Sequence, residues 1–164
     1  MIGLSTERLV FRAWTNADFP EFAEFFSKEE NTQFLGGVKN PEEAWRLMAS
    51  YIGHYALQGF AYLALEEKDK GQLIGSVGLW NSAPWPEPEL GYWLFPEARG
   101  KGYGVEAGLK VKDYALNVLQ LNSLVSYIAS ENQASKILTN RLGAKFDGSI
   151  DLLDFGPHEV YRYF

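Results

Sequence analysis

Seven short stretches of the chain alternate apolar and polar residues or concentrate β-branched and aromatic ones. Successive side chains of a strand point to opposite faces of a sheet, so these stretches are predicted to be β-strands. A charged turn ending in glycine, residues 67–71, joins the second strand to the third. The strands are predicted at about residues 8–14, 60–66, 72–81, 89–95, 123–129, 144–152 and 158–164.

Residues that start and stop helices delimit four predicted helices. The segment 15–18 is a variant of the capping box, and Asn40-Pro41 places an N-cap before a proline in the first turn. Gly59 and Gly143 are suited to ending helices. The helices are predicted at about residues 16–27, 41–58, 103–119 and 132–142, the third burying an apolar stripe of Val105, Leu109, Tyr114 and residues 116–119.

The order of these elements predicts the fold class. Strands open and close the chain, and a β-loop-α-β unit lies between them. This order is typical of an α+β fold with a mixed, largely antiparallel sheet flanked by helices. No repeat, linker or low-complexity tract interrupts residues 1–164, which predicts a single domain.

Composition removes several kinds of chemistry. The chain has no cysteine, which excludes thiolate nucleophiles and cysteine-bound metal centres. Its two histidines, His54 and His158, are far apart, so no metal site is predicted and both are expected to be structural or exposed. No stretch resembles a membrane span or a secretion signal, which predicts a cytoplasmic protein without a membrane partner.

Charge points to a ligand and to its location. The chain has 15 Lys and Arg against 21 Asp and Glu, a net charge of −6 that argues against a nucleic-acid partner. Residues 96–145, however, carry seven basic and four acidic side chains. An anionic ligand is therefore expected in this second region.

The glycine-rich segment Arg99-Gly100-Lys101-Gly102-Tyr103-Gly104 lies where a predicted strand ends and a helix begins. Unpaired backbone N–H groups and the positive end of the helix dipole suit such a position to a phosphate group. The glycines allow a ligand to approach the backbone closely. The segment therefore predicts an anion site, with a ligand-free tight turn as the alternative.

The spacing of these glycines leaves two nucleotide alternatives to weigh. Residues 102–107 satisfy the dinucleotide pattern GxGxx(G/A). That pattern also needs an acidic residue that closes the next strand and further βα units, but Asn132 lies there after Glu131 and few residues remain. The Walker pattern of nucleoside triphosphatases is missing.

Five ordered blocks are similar to the GNAT (Gcn5-related) N-acetyltransferases, and in particular to their RimJ/RimL-like branch. Arg99, Gly102 and Gly104 meet the family signature (Q/R)-x-x-G-x-(G/A). The blocks span nearly the whole chain, which makes the resemblance far more specific than the signature alone. They are residues 6–12, 89–94, 99–104 with Glu106-Ala107, 132–135 and 141–144.

The resemblance implies a GNAT fold that uses acetyl-CoA as acetyl donor. The N–H groups from Arg99 to Gly104 would hold the pyrophosphate, and the strand ending at Leu94 would pair with the pantetheine arm. A backbone N–H near Trp93 or Leu94 would stabilise the oxyanion. Direct transfer within a ternary complex suits a chain without cysteine. The implied coenzyme-binding residues are Trp93, Leu94, Phe95, Arg99, Gly100, Lys101, Gly102, Tyr103, Gly104, Asn132 and Ser135.

Two protonation roles follow from the chemistry of amine acetylation. The amine must lose a proton before it attacks, and Glu89 at the start of the strand is the candidate base, with a solvated strand-edge carboxylate as the alternative. Many family members use a tyrosine as the acid, but residues 132–141 contain none. Ser135 is the matching polar residue. An N-cap interaction is the alternative explanation for Asn132, and a first-turn helix serine for Ser135.

The resemblance also implies where the amine acceptor lies. Three segments, 34–38, 80–87 and 153–158, would surround it. The segments offer Phe34, Trp80, Trp85 and Phe155 for apolar contact, and Glu87, Glu89 and Asp154 for attraction of a cation.

A non-catalytic acyl-CoA sensor stays open as an alternative function, and the sheet edges make a homodimer feasible.

Overall fold

A single seven-stranded sheet organises the protein in this computed structural model, which describes residues 1–164. The strand order is β1-β2-β3-β4-β5-β7-β6, and every neighbouring pair is antiparallel except β4 and β5. The α+β prediction is confirmed. The strands are β1 (Leu9–Arg12), β2 (Tyr62–Glu67), β3 (Gln72–Trp80), β4 (Glu89–Leu94), β5 (Val125–Ile128), β6 (Lys145–Asp151) and β7 (Pro157–Arg162).

Five α-helices connect the strands: α1 (Phe19–Phe26), α2 (Glu29–Thr32), α3 (Pro41–Gln58), α4 (Tyr103–Asn117) and α5 (Gln133–Arg141). The four-residue α2 was not predicted, because one turn is too short to show a helical period. Helix α3 has the predicted bounds: Asn40 and Glu43 form a capping box, and Gly59 ends the helix with φ 77°. None of the helices combines the length and apolar character needed to cross a bilayer.

Alternation along β4 divides its side chains between the two faces of the sheet. Leu90 packs with α4 in a core that also contains β1, β2 and β3 residues. Trp93 and Phe95 point to the opposite face, into an aromatic core with the α1 and α3 side chains Phe22 and Tyr51. Because β4 contributes to both cores, its position is determined from both sides.

The predicted apolar stripe of α4 is confirmed only in part: Val105, Tyr114 and Leu119 pack against the core, but the other apolar members do not. Leu109, Leu116 and Val118 are 43%, 47% and 62% exposed. The face that is buried consists of small residues, because α4 lies very close to its neighbours. A Cβ at Gly104 would lie 2.5 Å from Leu138 Cδ1, and one at Gly108 only 2.6 Å from Leu142 Cδ1. The buried residues are Tyr103 at the start of the helix and then Gly104, Ala107, Gly108, Val111 and Ala115.

Strands β4 and β5 diverge after a single point of contact. Their parallel pairing is confined to Glu89 and Val125, where the Val125 amide donates to the Pro88 carbonyl at 3.0 Å. The Ser126 hydroxyl then donates to the Leu90 carbonyl at 2.5 Å. Beyond this point the β4 edge carries no strand partner, so a gap opens in the middle of the sheet.

Candidate functional site

A cleft of about 520 Å³ lies between the open edge of β4, the glycine-rich turn and α5. It also reaches the segment that follows α1, through Asn31 and Leu35. Most of the predicted coenzyme residues meet here, although they come from distant parts of the chain. Those that line the cleft are Trp93, Leu94, Arg99, Gly100, Gly102, Tyr103, Gly104, Asn132 and Ser135, whereas Lys101 and Phe95 do not. Phe34, which was predicted to contact the acceptor, lines the cleft as well.

The glycine-rich turn presents free amides at the mouth of this cleft. Gly100 and Gly102 have φ of 75° and 82°, in the left-handed region that favours glycine. The amides of residues 100–102 donate to no group of the chain. Helix α4 begins at Tyr103, with Gly102 as its N-cap. The first amides of the helix therefore have no helical carbonyl to which they could donate. The turn therefore provides consecutive donors and a positive helix end, which suit an anion.

Arg99 has a different role from the one predicted for its amide. The Arg99 amide donates to the Pro96 carbonyl at 3.2 Å and so is not available to a ligand. Its guanidinium donates to the Leu94 carbonyl at 3.0 Å and to Asn31 Oδ1 at 3.3 Å. Arg99 thus joins the end of β4 to the segment after α1.

The backbone of β4 alternates between its two sides. The Phe95 amide donates to the Ile74 carbonyl at 3.0 Å on β3, so residues 93 and 95 direct their amides to β3. The carbonyls of Leu90 and Leu94 accept bonds on the other side. The amides that face the gap are therefore those of Tyr92 and Leu94. Trp93 and Phe95 contribute side chains to the aromatic core instead.

Asn132 and Ser135 open helix α5 beside the cleft. The Asn132 side chain accepts a hydrogen bond from the Ser135 amide at 3.1 Å, which is the N-cap role named as the alternative. The Ser135 carbonyl accepts from the Tyr92 hydroxyl at 3.1 Å. Ser135 is thus held at the cleft by both of its backbone groups.

Tyr92 is a cleft residue that the sequence analysis did not single out. Its hydroxyl lies 3.2 Å from Thr139 Oγ1 as well as bonding to Ser135. Burial raises the pKa of Tyr92 above its ordinary value, so the hydroxyl keeps its proton at neutral pH. Strand alternation was the available signal, since residue 92 shares a face with Leu90 and Leu94.

Glu89 is buried at the point where β4 and β5 separate. The carboxylate is only 9% exposed, so the alternative of a solvated strand-edge carboxylate is wrong. Trp85 Nε1 and the Tyr62 hydroxyl donate to Oε2 at 3.0 Å and 3.4 Å. Burial raises the pKa of Glu89 to about 7, against the opposing effect of hydrogen bonding from the Tyr127 backbone and from these two side chains. A carboxylate with this pKa can accept a proton at neutral pH.

Gly91 makes room for Tyr62 above Glu89. A Cβ at Gly91 would lie 2.3 Å from the Tyr62 hydroxyl oxygen. Tyr62 lies between Trp80, whose ring it stacks on at 5.7 Å, and Tyr51, whose ring centroid is 5.3 Å away. Sequence reasoning missed Tyr62, because its contact with Glu89 joins two strands that are not adjacent in the sheet.

The three predicted acceptor segments meet at Phe155. Its ring packs edge-on against Trp85 at 5.7 Å, and a Cβ at Gly36 would lie 3.5 Å from its Cε1 atom. Phe34, in the same loop as Gly36, lines the coenzyme cleft. Trp80 lies apart from this junction, since its ring stacks on His54 at 4.1 Å. The acceptor side therefore has an aromatic rim, while Trp80 lies directly opposite Glu89 in the β3–β4 pairing.

The charges predicted to attract a cation differ in availability. Arg162 donates to both carboxylate oxygens of Glu87, at 2.7 Å and 2.9 Å, and Ser123 donates to it as well. These partners lower the pKa of Glu87 to about 2 and compensate its charge. Asp154 is exposed in the β6–β7 loop. Glu89 is therefore the buried carboxylate that is free of a cationic partner.

His54 has a structural role, as expected. Its Nδ1 donates to the Phe60 carbonyl at 2.7 Å, while Nε2 accepts from the Asn81 amide at 3.1 Å. Both ring nitrogens are thus used to join α3 to the ends of β2 and β3. The side chain is 6% exposed and offers no free nitrogen to a substrate or metal.

Comparison with known proteins agrees with this geometry. Residues 8–145 match the acetyltransferase (GNAT) domain family. The chain is 27% identical over 148 residues to the uncharacterized N-acetyltransferase YoaA of Bacillus subtilis, covering 88% of this chain and 84% of YoaA. It is also similar to the crystal structure of an acetyltransferase from Agrobacterium tumefaciens, with a TM-score of 0.90 and 30% identity over 98% of this chain and 93% of that one.

A more distant structure shares the fold. It is the spermidine N-acetyltransferase of Vibrio cholerae in complex with CoA and spermine, with a TM-score of 0.74 and 20% identity over 96% of this chain and 94% of that one. The expectation of an acyltransferase is confirmed by the family match and by the similar enzymes together. The chain belongs to the GNAT family of acetyltransferases.

Proposed function

We propose that this enzyme transfers the acetyl group of acetyl-CoA directly to a primary amine within a ternary complex. The observation that carries the proposal is that a turn of free amides and a cleft meet along the open edge of β4. Glu89 does not line that cleft, but it is buried where the same edge begins. When bound, acetyl-CoA supplies a thioester that an amine can attack. The lack of cysteine supports direct transfer, since no thiol can carry the acetyl group.

The turn and β4 would hold the donor. The amides of residues 100–102 and the N-terminus of α4 suit the two negative charges of a pyrophosphate. The open edge of β4 offers the Tyr92 and Leu94 backbone groups to the amide groups of the pantetheine arm. An amide at this edge also suits the oxygen that gains negative charge during acyl transfer.

Glu89 would take the proton of the acceptor ammonium. Both of its side-chain hydrogen bonds, from Trp85 and Tyr62, end on Oε2. The Tyr127 backbone also donates to the carboxylate. We assign the incoming proton to the carboxylate of Glu89. The pKa of about 7 leaves a large fraction of the carboxylate ionised at neutral pH, as a general base requires.

Two hydroxyls lie at the cleft near where the thiolate would leave. The Tyr92 hydroxyl donates to the Ser135 carbonyl in this structure and would turn from it to protonate the sulfur. Ser135 was the predicted donor, and Tyr92 lies against it. We expect Tyr92→Phe to lower kcat about 100-fold, because it removes a donor held at the cleft, while Ser135→Ala lowers it less. Steady-state kinetics with CoA release as the readout measure both. A larger loss in Ser135→Ala than in Tyr92→Phe would assign the donor role to Ser135.

The acceptor is a protein N-terminus or a small-molecule amine. The aromatic rim of Trp85, Phe155 and Phe34 supports an amine with an apolar neighbouring group. The five sequence blocks support the RimJ/RimL-like branch.

We also propose a single domain over residues 1–164 and a cytoplasmic location. A homodimer stays a prediction.

Thermal unfolding with acetyl-CoA, CoA, NAD and ATP tests the donor. A ligand that binds only the folded state stabilises it by about 2.7 kcal/mol at 100 times its dissociation constant. We expect acetyl-CoA and CoA to raise the melting temperature, and NAD and ATP to have no effect. CoA release would then be followed with N-terminal Ala and Ser peptides and with small amines. A larger shift with NAD, or none with CoA, would contradict the proposal.

A further inference from the structure

Two of the sequence blocks, residues 6–12 and residues 99–104 with Glu106-Ala107, meet in the structure although nearly 100 residues separate them. Arg8 Nε and Nη2 lie 2.7 Å and 2.6 Å from Oε2 of Glu106. The Arg8 amide donates to the other carboxylate oxygen at 3.0 Å, and so does the Thr6 hydroxyl. The segment that precedes β1 is therefore joined to the first turn of α4.

Arg8 also binds the glycine-rich turn itself. Its Nη1 donates to the Lys101 carbonyl at 3.0 Å. In a trans peptide the carbonyl and the following N–H point in opposite directions, and the chain has no cis peptide. Holding the Lys101 carbonyl towards Arg8 therefore directs the Gly102 N–H away from it. Gly102 lines the cleft, and its amide donates to no group of the chain.

The same guanidinium compensates an unfavourable charge. Glu106 places a carboxylate in the first turn of α4, close to where an anionic ligand would bind. Unpaired, this carboxylate would repel a phosphate. The guanidinium is also held above the Tyr103 ring, with Cζ 4.5 Å from the ring centroid. Three contacts, to Glu106, Lys101 and Tyr103, thus determine its orientation.

We propose that Arg8 is a positioning residue that presets the glycine-rich turn for the pyrophosphate of the coenzyme. Arg8 acts through the Lys101–Gly102 peptide and through Glu106. This inference rests on the proposed function of the turn as a coenzyme site. An ordered turn binds more tightly than a mobile one, because its amides need not be arranged when the ligand arrives. The planar guanidinium can hold the carboxylate and the carbonyl at once, which the single ammonium of lysine cannot do in this geometry.

Arg8→Lys tests the proposal, because it keeps the positive charge and removes the planar fork. We expect CoA to bind about tenfold more weakly, measured by titration calorimetry. The KM for acetyl-CoA should rise, while kcat and the KM for the amine change little. Arg12→Lys is the matched control: Arg12 lies on β1 and pairs with Asp18 at 2.8 Å and Glu66 at 2.6 Å, away from the turn. This variant should lose thermal stability and keep the wild-type affinity for CoA.

Glu106→Gln separates positioning from simple charge. If Arg8 only attracts the coenzyme, removing the neighbouring negative charge strengthens CoA binding. If Arg8 positions the turn, losing its carboxylate partner weakens binding, which is the result we expect. Wild-type affinity in Arg8→Lys, or tighter binding in Glu106→Gln, would overturn the assignment while the wild-type enzyme still binds CoA. A wild-type enzyme that does not bind CoA would overturn the proposed function together with this assignment.

Discussion

Replacing Glu89 with glutamine is expected to lower kcat by about 100-fold or more while the dissociation constant for CoA stays unchanged. General bases typically contribute a factor of this size or larger, and glutamine cannot accept the proton of the acceptor ammonium. The amide can still receive the bonds from Trp85 and Tyr62 through its oxygen, so the fold should be maintained. Steady-state kinetics and calorimetric titration with CoA measure the two quantities.

The pH dependence gives this prediction a second readout. Burial raises the pKa of Glu89 to about 7, so the carboxylate ionises as the pH rises through that value. We expect kcat/KM of the wild-type enzyme to rise through the same range, and this limb to disappear in Glu89→Gln. Glu87→Gln is the control. With a pKa of about 2, Glu87 stays ionised throughout the assay range and cannot produce the limb.

Stability should respond to pH with the opposite sign. A carboxyl whose pKa is raised from 4.5 to about 7 favours the folded state in its protonated form. The stabilisation is fully present below pH 4.5 and is lost as the pH rises through about 7, a change of roughly 3 kcal/mol. Glu89→Gln should flatten this dependence. A variant that keeps both the kinetic limb and the slope of stability would show that Glu89 is not the base.

Gly102→Asp is expected to abolish CoA binding, with a loss of affinity of about 100-fold or more. Two effects combine. Gly102 has φ 82°, which strains a residue with a side chain. A Cβ at Gly102 would lie 3.4 Å from Arg8 Nη2, so the new carboxylate would compete for that guanidinium and add negative charge to the turn, which disfavours a pyrophosphate. Calorimetric titration with CoA measures the loss directly, and acetyl-CoA should no longer raise the melting temperature.

Gly71→Asp is the matched control for backbone strain. Gly71 has φ 60°, lies in the β2–β3 turn, and has open space where a side chain would project. Both variants should be destabilised by about 1–3 kcal/mol, but Gly71→Asp should bind CoA as the wild-type enzyme does. If Gly102→Asp bound CoA normally, the coenzyme would not use this turn.

Local signals were enough for many features of this fold. Helix α3 begins after Asn40 and ends at Gly59 because capping and a left-handed glycine act within a few residues. The glycine-rich turn was likewise recognisable, since left-handed backbone and a helix start are encoded locally. The order of strands and helices was sufficient for the α+β class. The family resemblance rested on five such local blocks.

Tertiary packing decided the features that depend on distant residues. Leu109 and Leu116 form an apolar pattern on α4, yet the glycines on the other face allow the closer approach to Leu138 and Leu142. Leu138 and Leu142, which meet these glycines, come later in the chain. A hydrophobic period therefore could not identify the buried face.

The functional site also combines features that local sequence predicts with features that only tertiary packing determines. The sequence identified Glu89, Ser135 and the turn as candidates, because their chemistry depends on residue type and their place on an element. It could not show that Glu89 is buried beneath Tyr62, that Tyr92 reaches Ser135, or that Arg8 binds the Lys101 carbonyl. These contacts form only when β2, β4, α4 and α5 pack together. Burial and long-range contacts set the pKa of a carboxylate and the direction of an amide, and they exist only in the folded chain.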